Sequence, residues 1–320
     1  MSEYLNTKIN GTQPSSCLSN PTADKIGKTF AYFLIFLVSL AGNTVIGIIV
    51  YKTKTVRKPI NFFIVNMAMS DLLYPISVIP WLIQTLYTDF WLIGGPLGQV
   101  LCKLINFFSD VSTAVSIQSL VLIAVDRFGA VVYPLRSPLI RSKLCPFIIL
   151  VTWIVAMAIY SPYLFAFKLV AYPEGLLCEL HWNEAFGESS SLKNYNVSFL
   201  VIFLYSPLVL IATLYIIIYL KLKSQKIPGE QSVNAGQQRQ QRERNVLNMA
   251  IAIVLGFAVC WLPYSIAILL FQFASDFRPY GFRCFFSVAI FMTRVNCAVN
   301  PCICFIFSRN YRTGLKTLFR

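Results

Sequence analysis

Charged side chains are scarce in this sequence. Only 12% of its 320 residues are Asp, Glu, Lys or Arg, whereas 57% are hydrophobic. Soluble domains carry roughly a quarter charged residues, so this chain lacks the polar surface that a soluble fold of its length requires. The scarcity therefore excludes a soluble globular protein and predicts an integral membrane protein.

The sequence also has few residues from which a metal or catalytic centre could be built. It contains one histidine, His181, and none of its nine cysteines forms a C-x-x-C pair. Transition-metal sites are built from clusters of such ligands at short spacing. We therefore predict neither a metalloprotein of this kind nor an enzyme.

The hydrophobic residues fall into seven continuous blocks. A membrane-spanning helix needs roughly 20 apolar residues, and a membrane β-strand would instead show alternation. The fold class predicted is all-α integral membrane, with seven transmembrane helices. The blocks run near Thr29–Tyr51, Ile60–Leu86, Val100–Val132, Cys145–Phe167, Val197–Leu220, Val246–Phe273 and Phe282–Phe307.

The formal net charge of +14 is distributed unevenly. Lysines and arginines concentrate after the first, third, fifth and seventh blocks, whereas the alternate loops are balanced. Basic loops stay in the cytoplasm, so the N-terminus is predicted outside the cell. The basic excess is thus a signal of topology, and we expect no nucleic-acid partner.

Short motifs occur in a fixed order inside the blocks and cover the chain from Thr29 to Phe319. They are Gly42-Asn43-Thr44-Val45, Asn66-Met67-Ala68-Met69-Ser70-Asp71, Asp126-Arg127-Phe128, Trp153, Cys260-Trp261-Leu262-Pro263 and Asn300-Pro301. This set resembles the rhodopsin-like (class A) family of G-protein-coupled receptors. The resemblance implies a seven-transmembrane helix bundle with a short amphipathic eighth helix.

The resemblance divides the chain into three regions. Residues 1–27 are expected to be an extracellular tail, residues 28–306 the seven-transmembrane receptor domain, and residues 307–320 helix 8 with a short cytoplasmic tail. Asn10-Gly11-Thr12 in the first region is an acceptor sequence for N-glycosylation. We expect a multi-pass protein of the plasma membrane.

Three further segments are more specific. Cys102-Lys103-Leu104, Val132-Tyr133-Pro134-Leu135-Arg136 and Cys178-Glu179-Leu180-His181-Trp182 resemble receptors of the neuropeptide Y, RFamide, galanin and somatostatin type. The resemblance implies a short, basic neuropeptide ligand, amidated or not, and a heterotrimeric G protein as partner. Membrane lipid and arrestin are further expected partners. A lipid or small-molecule ligand on the same fold, and a transporter, stay open as alternatives.

A carboxylate lies deep inside the second block, at Asp71. Ionisable groups inside a membrane are costly and usually functional. The resemblance implies that Asp71 holds an allosteric sodium ion together with Ser116, Asn296 and Asn300. The alternative is a protonated Asp71 that is hydrogen-bonded to the asparagines. We expect no other cofactor.

The resemblance also implies an activation switch near the cytoplasmic ends of the helices. Arg127, next to Asp126, would be held by Glu243 in the inactive state, because arginine and carboxylate form strong pairs. On activation it would meet Tyr215 and the G protein, which Leu135 would also contact. The remaining switch residues are implied by their matching positions: Ile117, Pro207, Phe257, Trp261, Pro263 and Pro301.

One position departs from the family pattern. Cys304 stands where the family has the tyrosine of its N-P-x-x-Y motif. That tyrosine normally bonds through water to the residue that matches Tyr215. Its absence is expected to leave Tyr215 without this partner.

Four cysteines lie at the predicted outer face, which is an oxidising environment. The resemblance implies a disulfide between Cys102 and Cys178. Cys17 and Cys284 are then left over on the same face, and a second disulfide between them is a hypothesis.

Charged residues in the outer halves of the helices constrain the ligand. Arg294 matches the lysine that binds retinal in opsins, and it stays protonated, so retinal is excluded. Ser109 stands where amine receptors have aspartate, and Asp110 is rotated from it by about 100°, which argues against an amine. Arg294 is predicted to pair with Asp110, a backbone carbonyl or the ligand. The predicted pocket residues are Gln84, Ser109, Asp110, Glu179, Trp261, Tyr264, Gln272 and Arg294.

Overall fold

The computed structural model describes residues 21–53, 57–134, 138–224, 233–273 and 281–318. The predicted glycosylation site Asn10, the cysteine Cys17 and the G-protein contact Leu135 lie outside these ranges. The side chain of Glu243 is also outside the description, although its backbone is helical.

Within these described ranges, seven helical segments are long and apolar enough to cross a membrane, and we number them α1 to α7. A shorter amphipathic helix, α8, follows them. The seven-helix bundle and its eighth helix are therefore confirmed. The bounds are α1 Pro21–Lys52, α2 Pro59–Tyr87, α3 Gly95–Val132, α4 Ser142–Ala166, α5 Leu192–Ser224, α6 Val233–Phe273, α7 Phe282–Phe307 and α8 Arg309–Leu318.

Several of these segments are interrupted. A turn at Val78 divides α2 into Pro59–Ser77 and Ile79–Tyr87. In α4, the turn Ser142–Leu144 precedes Cys145–Tyr160 and Tyr163–Ala166. The middle of α5, Leu200–Tyr205, is a π-helical stretch. It lies between two α-helical parts, Leu192–Phe199 and Ser206–Ser224. Pro207 lies two residues after the end of that stretch, and because proline lacks an N–H and crowds the preceding turn, it favours the wider local winding.

Small and polar residues let the helices pack closely. α1 contacts α2 and α7, and at Gly42 a β-carbon would lie 2.6 Å from Cβ of Pro301. Only glycine fits so close an approach. On the other side of the bundle, Trp153 of α4 donates a 2.9 Å hydrogen bond from Nε1 to Oδ1 of Asn66 in α2.

An antiparallel β-hairpin covers one end of the bundle, which we call the hairpin end; the opposite end is the far end. The strands are β1 (Phe167–Tyr172) and β2 (Gly175–Leu180), with Leu169 opposite Cys178. Pro173 and Glu174 form the turn between the two strands. At one edge, the backbone N–H of Trp91 donates to the carbonyl of Leu176 at 2.7 Å.

The hairpin is also fastened to the start of α3. Cys102 and Cys178 form a disulfide, which confirms the predicted bridge. The backbone N–H of Leu169 donates to Oε1 of Gln99 at 2.8 Å. Cys284 is disulfide-bonded as well, and because Cys17 lies outside the described residues, the pairing of these two stays a prediction.

Helix α8 packs beneath α1 and α7 at the far end. Its Gly314 faces Ile49 so closely that a β-carbon would lie 2.6 Å from Cγ2. Tyr311 is 2% exposed, and its hydroxyl donates to Oδ1 of Asn61 at 3.0 Å. These contacts fix α8 against α1 and the first turn of α2.

Candidate functional site

Three adjoining cavities occupy the hairpin end of the bundle. The first, called the vestibule, has a volume of about 920 Å³ and lies between the hairpin and helices α1, α2 and α7. The second, called the main cavity, has about 110 Å³ and reaches down to Asp71. The third, called the side cavity, has about 70 Å³ and lies among α3, α4, α5 and α6. Adjacent cavities share lining residues, so together they form one recess that leads inward from the hairpin.

The structure brings six of the eight predicted pocket residues to these cavities. Glu179 lines the vestibule, and five others line the main cavity: Ser109, Asp110, Trp261, Tyr264 and Arg294. Gln84 and Gln272 line none of the three cavities. The amide of Gln84 instead donates to the carbonyl of Phe90 at 2.8 Å, where it stabilises the loop after α2. The Oε1 atom of Gln272 is buried and has no hydrogen-bond partner.

Arg294 contacts Tyr74, whereas Asp110 was one of its three predicted partners. Its guanidinium donates a hydrogen bond to the hydroxyl of Tyr74 and lies 5.6 Å from the centre of the same ring. No ion pair within 4 Å joins it to Asp110 in the described part of the chain. Arg294 therefore links α7 to α2 and not to α3.

The rotation of Asp110 away from Ser109 does not remove it from the recess. Ser109 and Asp110 are successive on α3, yet both line the main cavity, and Asp110 also lines the side cavity. The recess curves around α3, so residues separated by about 100° can both face it. The argument against an amine ligand loses this support.

Sequence reasoning missed several residues of the recess. Tyr74, Thr113 and Tyr163 line the main cavity. A signal for Tyr74 was present, since it lies three positions after Asp71 and residues at this spacing share a helix face. No such signal marked Tyr163, which comes from the short last helix of α4.

Side chains of opposite charge meet around the rim of the vestibule. Lys168 Nζ lies 2.5 Å from Glu184 Oε1, and the nearby charge and hydrogen bond hold the pKa of Glu184 below its ordinary value. The two ring nitrogens of His181 lie 3.2 Å from Glu179 and 3.2 Å from Glu184. Tyr172 donates to Glu179 at 3.1 Å, and this bond raises the pKa of the phenol. Glu184 therefore stays ionised near neutral pH.

A cluster of buried polar residues surrounds Asp71, below the main cavity. Asn300 donates to Oδ2 of Asp71 at 2.8 Å, and Ser116 donates to Oδ1 at 3.3 Å. The Oδ1 atoms of Asn296 and Asn300 are buried without a hydrogen-bond partner. Carboxylate, hydroxyl and amide oxygens are the ligands that hard cations prefer, so this set of donors fits a small cation such as sodium.

The predicted switch residues are distributed between the recess and the far end. Ile117 and Phe257 belong to one buried cluster, and Phe257 stacks on Trp261 with 6.0 Å between the ring centres. Pro263 lies within α6 and Pro301 within α7. Pro207 is half-buried beside the π-helical stretch of α5.

At the far end, Arg127 pairs with its neighbour Asp126 through two guanidinium nitrogens. Its predicted pairing with Glu243 cannot be compared, since that side chain lies outside the described residues. The hydroxyl of Tyr215 is buried without a hydrogen-bond partner, and Cys304 is fully buried. The expected effect of Cys304 concerns a water-mediated contact of the activated receptor and stays a prediction.

Comparisons with known proteins find similarity along most of the chain. The family model described as "7 transmembrane receptor (rhodopsin family)" matches residues 42–303. A QRFP-like peptide receptor of Branchiostoma floridae is 29% identical over 94% of this chain and 79% of its own length. Neuropeptide FF receptor 1 of Rattus norvegicus is 30% identical over 91% and 69%. The RYamide receptor of Drosophila melanogaster is 29% identical over 90% and 62%.

Proposed function

Because the chain belongs to the rhodopsin family of seven-transmembrane receptors, we propose that it binds a short peptide at the hairpin end and activates a heterotrimeric G protein at the far end. The observation that carries this proposal is the similarity to named peptide receptors over 94% and 91% of the chain. The vestibule supports it, since about 920 Å³ is at the upper end of the range for small-molecule sites.

The family membership excludes one of the alternatives that the sequence left open, a transporter. The chain is a multi-pass membrane receptor, not an enzyme and not a transporter. A lipid or another small molecule is the remaining alternative to a peptide. The rim residues Glu179 and Glu184 favour a peptide with basic residues, because complementary charge accelerates association.

The proposed orientation puts the hairpin outside the cell and the far end in the cytoplasm. At the far end of the bundle, basic residues lie at or next to the helix termini, as the positive-inside rule requires of the cytoplasmic side. They include Lys52, Lys58, Lys143, Lys221 and Lys316. In this orientation Asn10 would be accessible for glycosylation. We place the receptor in the plasma membrane, where arrestin would be a further partner.

The arrangement of α6 supplies a route from ligand to G protein. Trp261 and Tyr264 line both the main and the side cavity, and Phe257 stacks below Trp261. A ligand that alters these contacts biases the position of α6, whose Pro263 weakens the helix there. Movement of α6 would open the far end around Arg127, and G-protein binding would in turn tighten the ligand.

The polar cluster below the recess would regulate this equilibrium. We propose that Asp71, Ser116, Asn296 and Asn300 hold a sodium ion, whose charge compensates the carboxylate. The support is the pair of buried, unpartnered amide oxygens. An ion bound between α2, α3 and α7 would favour the state in which these helices are close.

The proposal is tested by expressing the chain in cells and measuring heterotrimer dissociation. The panel contains amidated peptides, lipids and small amines. We expect a saturable response to at least one peptide, which disappears in Trp261→Ala at matched surface expression. A response to lipids alone, with peptides inactive, would reject the peptide ligand and keep the receptor.

A further inference from the structure

The main and side cavities meet at a junction formed by five residues. The residues that line both cavities are Asp110, Thr113, Tyr163, Trp261 and Tyr264. Thus one carboxylate lies among three aromatic side chains and a threonine. Trp261 and Tyr264 are in T-shaped contact, with ring centres 6.0 Å apart, so the junction presents both a face and an edge of aromatic rings.

The carboxylate at the junction has no cationic partner among the described side chains. All ion pairs in the described part of the chain join other residues. No hydrogen bond from a described residue reaches Asp110. Arg294, which was one predicted partner of Asp110, donates to Tyr74 instead. A carboxylate away from bulk water is costly unless a charge or hydrogen bonds compensate it.

We propose that Asp110 is the counter-ion for a cationic group of the ligand, an ammonium or a guanidinium, which binds among Tyr163, Trp261 and Tyr264. The carboxylate supplies the opposite charge, and aromatic faces attract cations further. The side cavity continues beyond the cation and is lined by Tyr160, Phe199 and Phe203. It therefore accepts an apolar or aromatic group that is adjacent to the charge.

Two kinds of ligand carry this chemistry. One is a basic side chain next to an aromatic residue in a peptide, and the other is a small aromatic amine. The first version rests on the proposed function, whereas the second does not. The two therefore require separate probes.

The test uses three probes on the full-length receptor in cells. They are a synthetic peptide that ends in arginine–tyrosine–amide, the same peptide with neutral citrulline in place of arginine, and tyramine. Each is applied to the wild type, to Asp110→Asn and to Asp110→Glu, with surface expression measured by an epitope tag. The control is Asp24→Asn, which removes a carboxylate at the start of α1 that is paired with Lys28.

We expect the arginine peptide to lose at least about 30-fold in potency on Asp110→Asn, because one member of a desolvated charge pair is removed. Asp110→Glu should recover part of the loss, and Asp24→Asn should stay within about twofold, since Asp24 lines none of the three cavities. The citrulline peptide should be weaker on the wild type by a similar factor and should lose nothing further on Asp110→Asn.

The outcomes separate the inference from the proposed function. Equal potency of the arginine and citrulline peptides on the wild type would overturn the inference and keep the peptide receptor. A response to tyramine that requires Asp110, with both peptides inactive, would keep the inference and reject the peptide ligand. Silence of all three probes on well-expressed wild type would overturn the inference, and the broader peptide panel would still decide the proposed function.

Discussion

The hydroxyl of Tyr311 in α8 donates a 3.0 Å hydrogen bond to Oδ1 of Asn61 at the start of α2. Both side chains are buried, and burial holds the pKa of Tyr311 well above its ordinary range, so the phenol stays a donor. This bond joins the last helix to the second. It lies close to Cys304, where the family's usual tyrosine is missing.

Tyr311→Phe should lower the thermal stability of the detergent-purified receptor. The change removes a hydrogen bond between two buried side chains, which costs about 1 kcal/mol and corresponds to about 2–4 °C in a chain of this size. Tyr219→Phe is the control, since Tyr219 is 61% exposed. Equal melting temperatures for the two variants would show that the bond contributes nothing.

Tyr215→Phe should behave in the opposite way. Its hydroxyl is buried and unpartnered, so removal eliminates a desolvation penalty at no loss of a hydrogen bond. We expect an unchanged or slightly higher melting temperature in the ligand-free state. A decrease as large as that of Tyr311→Phe would mean that Tyr215 has a partner in this state.

Gly42→Ala should destabilise the contact between α1 and α7. The new methyl would lie 2.6 Å from Cβ and 2.8 Å from Cγ of Pro301, and a rigid ring cannot move aside. Overpacking of this kind costs about 1–3 kcal/mol. The control is Gly47→Ala on the same helix, which meets nothing within 4 Å and should not reduce surface expression or melting temperature.

Asp71→Asn should abolish stabilisation by sodium. We expect the wild type to melt at a higher temperature in sodium chloride than in choline chloride of equal ionic strength, because a ligand of the folded state stabilises it by mass action. Asp89→Asn, at an exposed site, should keep the full response. A sodium response that persists in Asp71→Asn would reject the proposed site.

Arg294→Met and Tyr74→Phe should be coupled. Each removes one member of the contact between α7 and α2, so the double variant should lose less stability than the sum of the single ones, by about 1 kcal/mol. Melting temperatures of the four proteins measure this difference. Additive losses would place the function of Arg294 elsewhere in the recess.

The number and order of the helices could be predicted from the sequence, but not every residue at which a helix begins or ends. Continuous apolar runs of about 20 residues have few structural uses other than spanning a membrane. The first helix, however, begins at Pro21, before the apolar run that starts at Thr29. Its polar first turns are stabilised by the ion pair of Asp24 with Lys28 at 2.7 Å, and hydrophobicity carries no information about such a pair.

The partners of the buried charges were harder to predict. A shared site could be predicted for Asp71, Asn296 and Asn300, because their positions in the helices place them at a similar depth in the membrane. The partner of Arg294 depends on how α2 and α7 are rotated, which is decided by packing along their whole length. For the same reason, the sequence did not indicate that Asp110 faces two cavities.

The attachment of the hairpin has a consequence for the kinetics of binding. The disulfide of Cys102 with Cys178 fastens one strand, Gln99 holds Leu169 of the other, and Trp91 holds the edge. A segment fixed at three places does not need to be ordered when a ligand arrives. Association should therefore proceed at a rate set by diffusion and by the charge of the rim, without waiting for a gate to open, and the fixed mouth of the vestibule would reject ligands by their width.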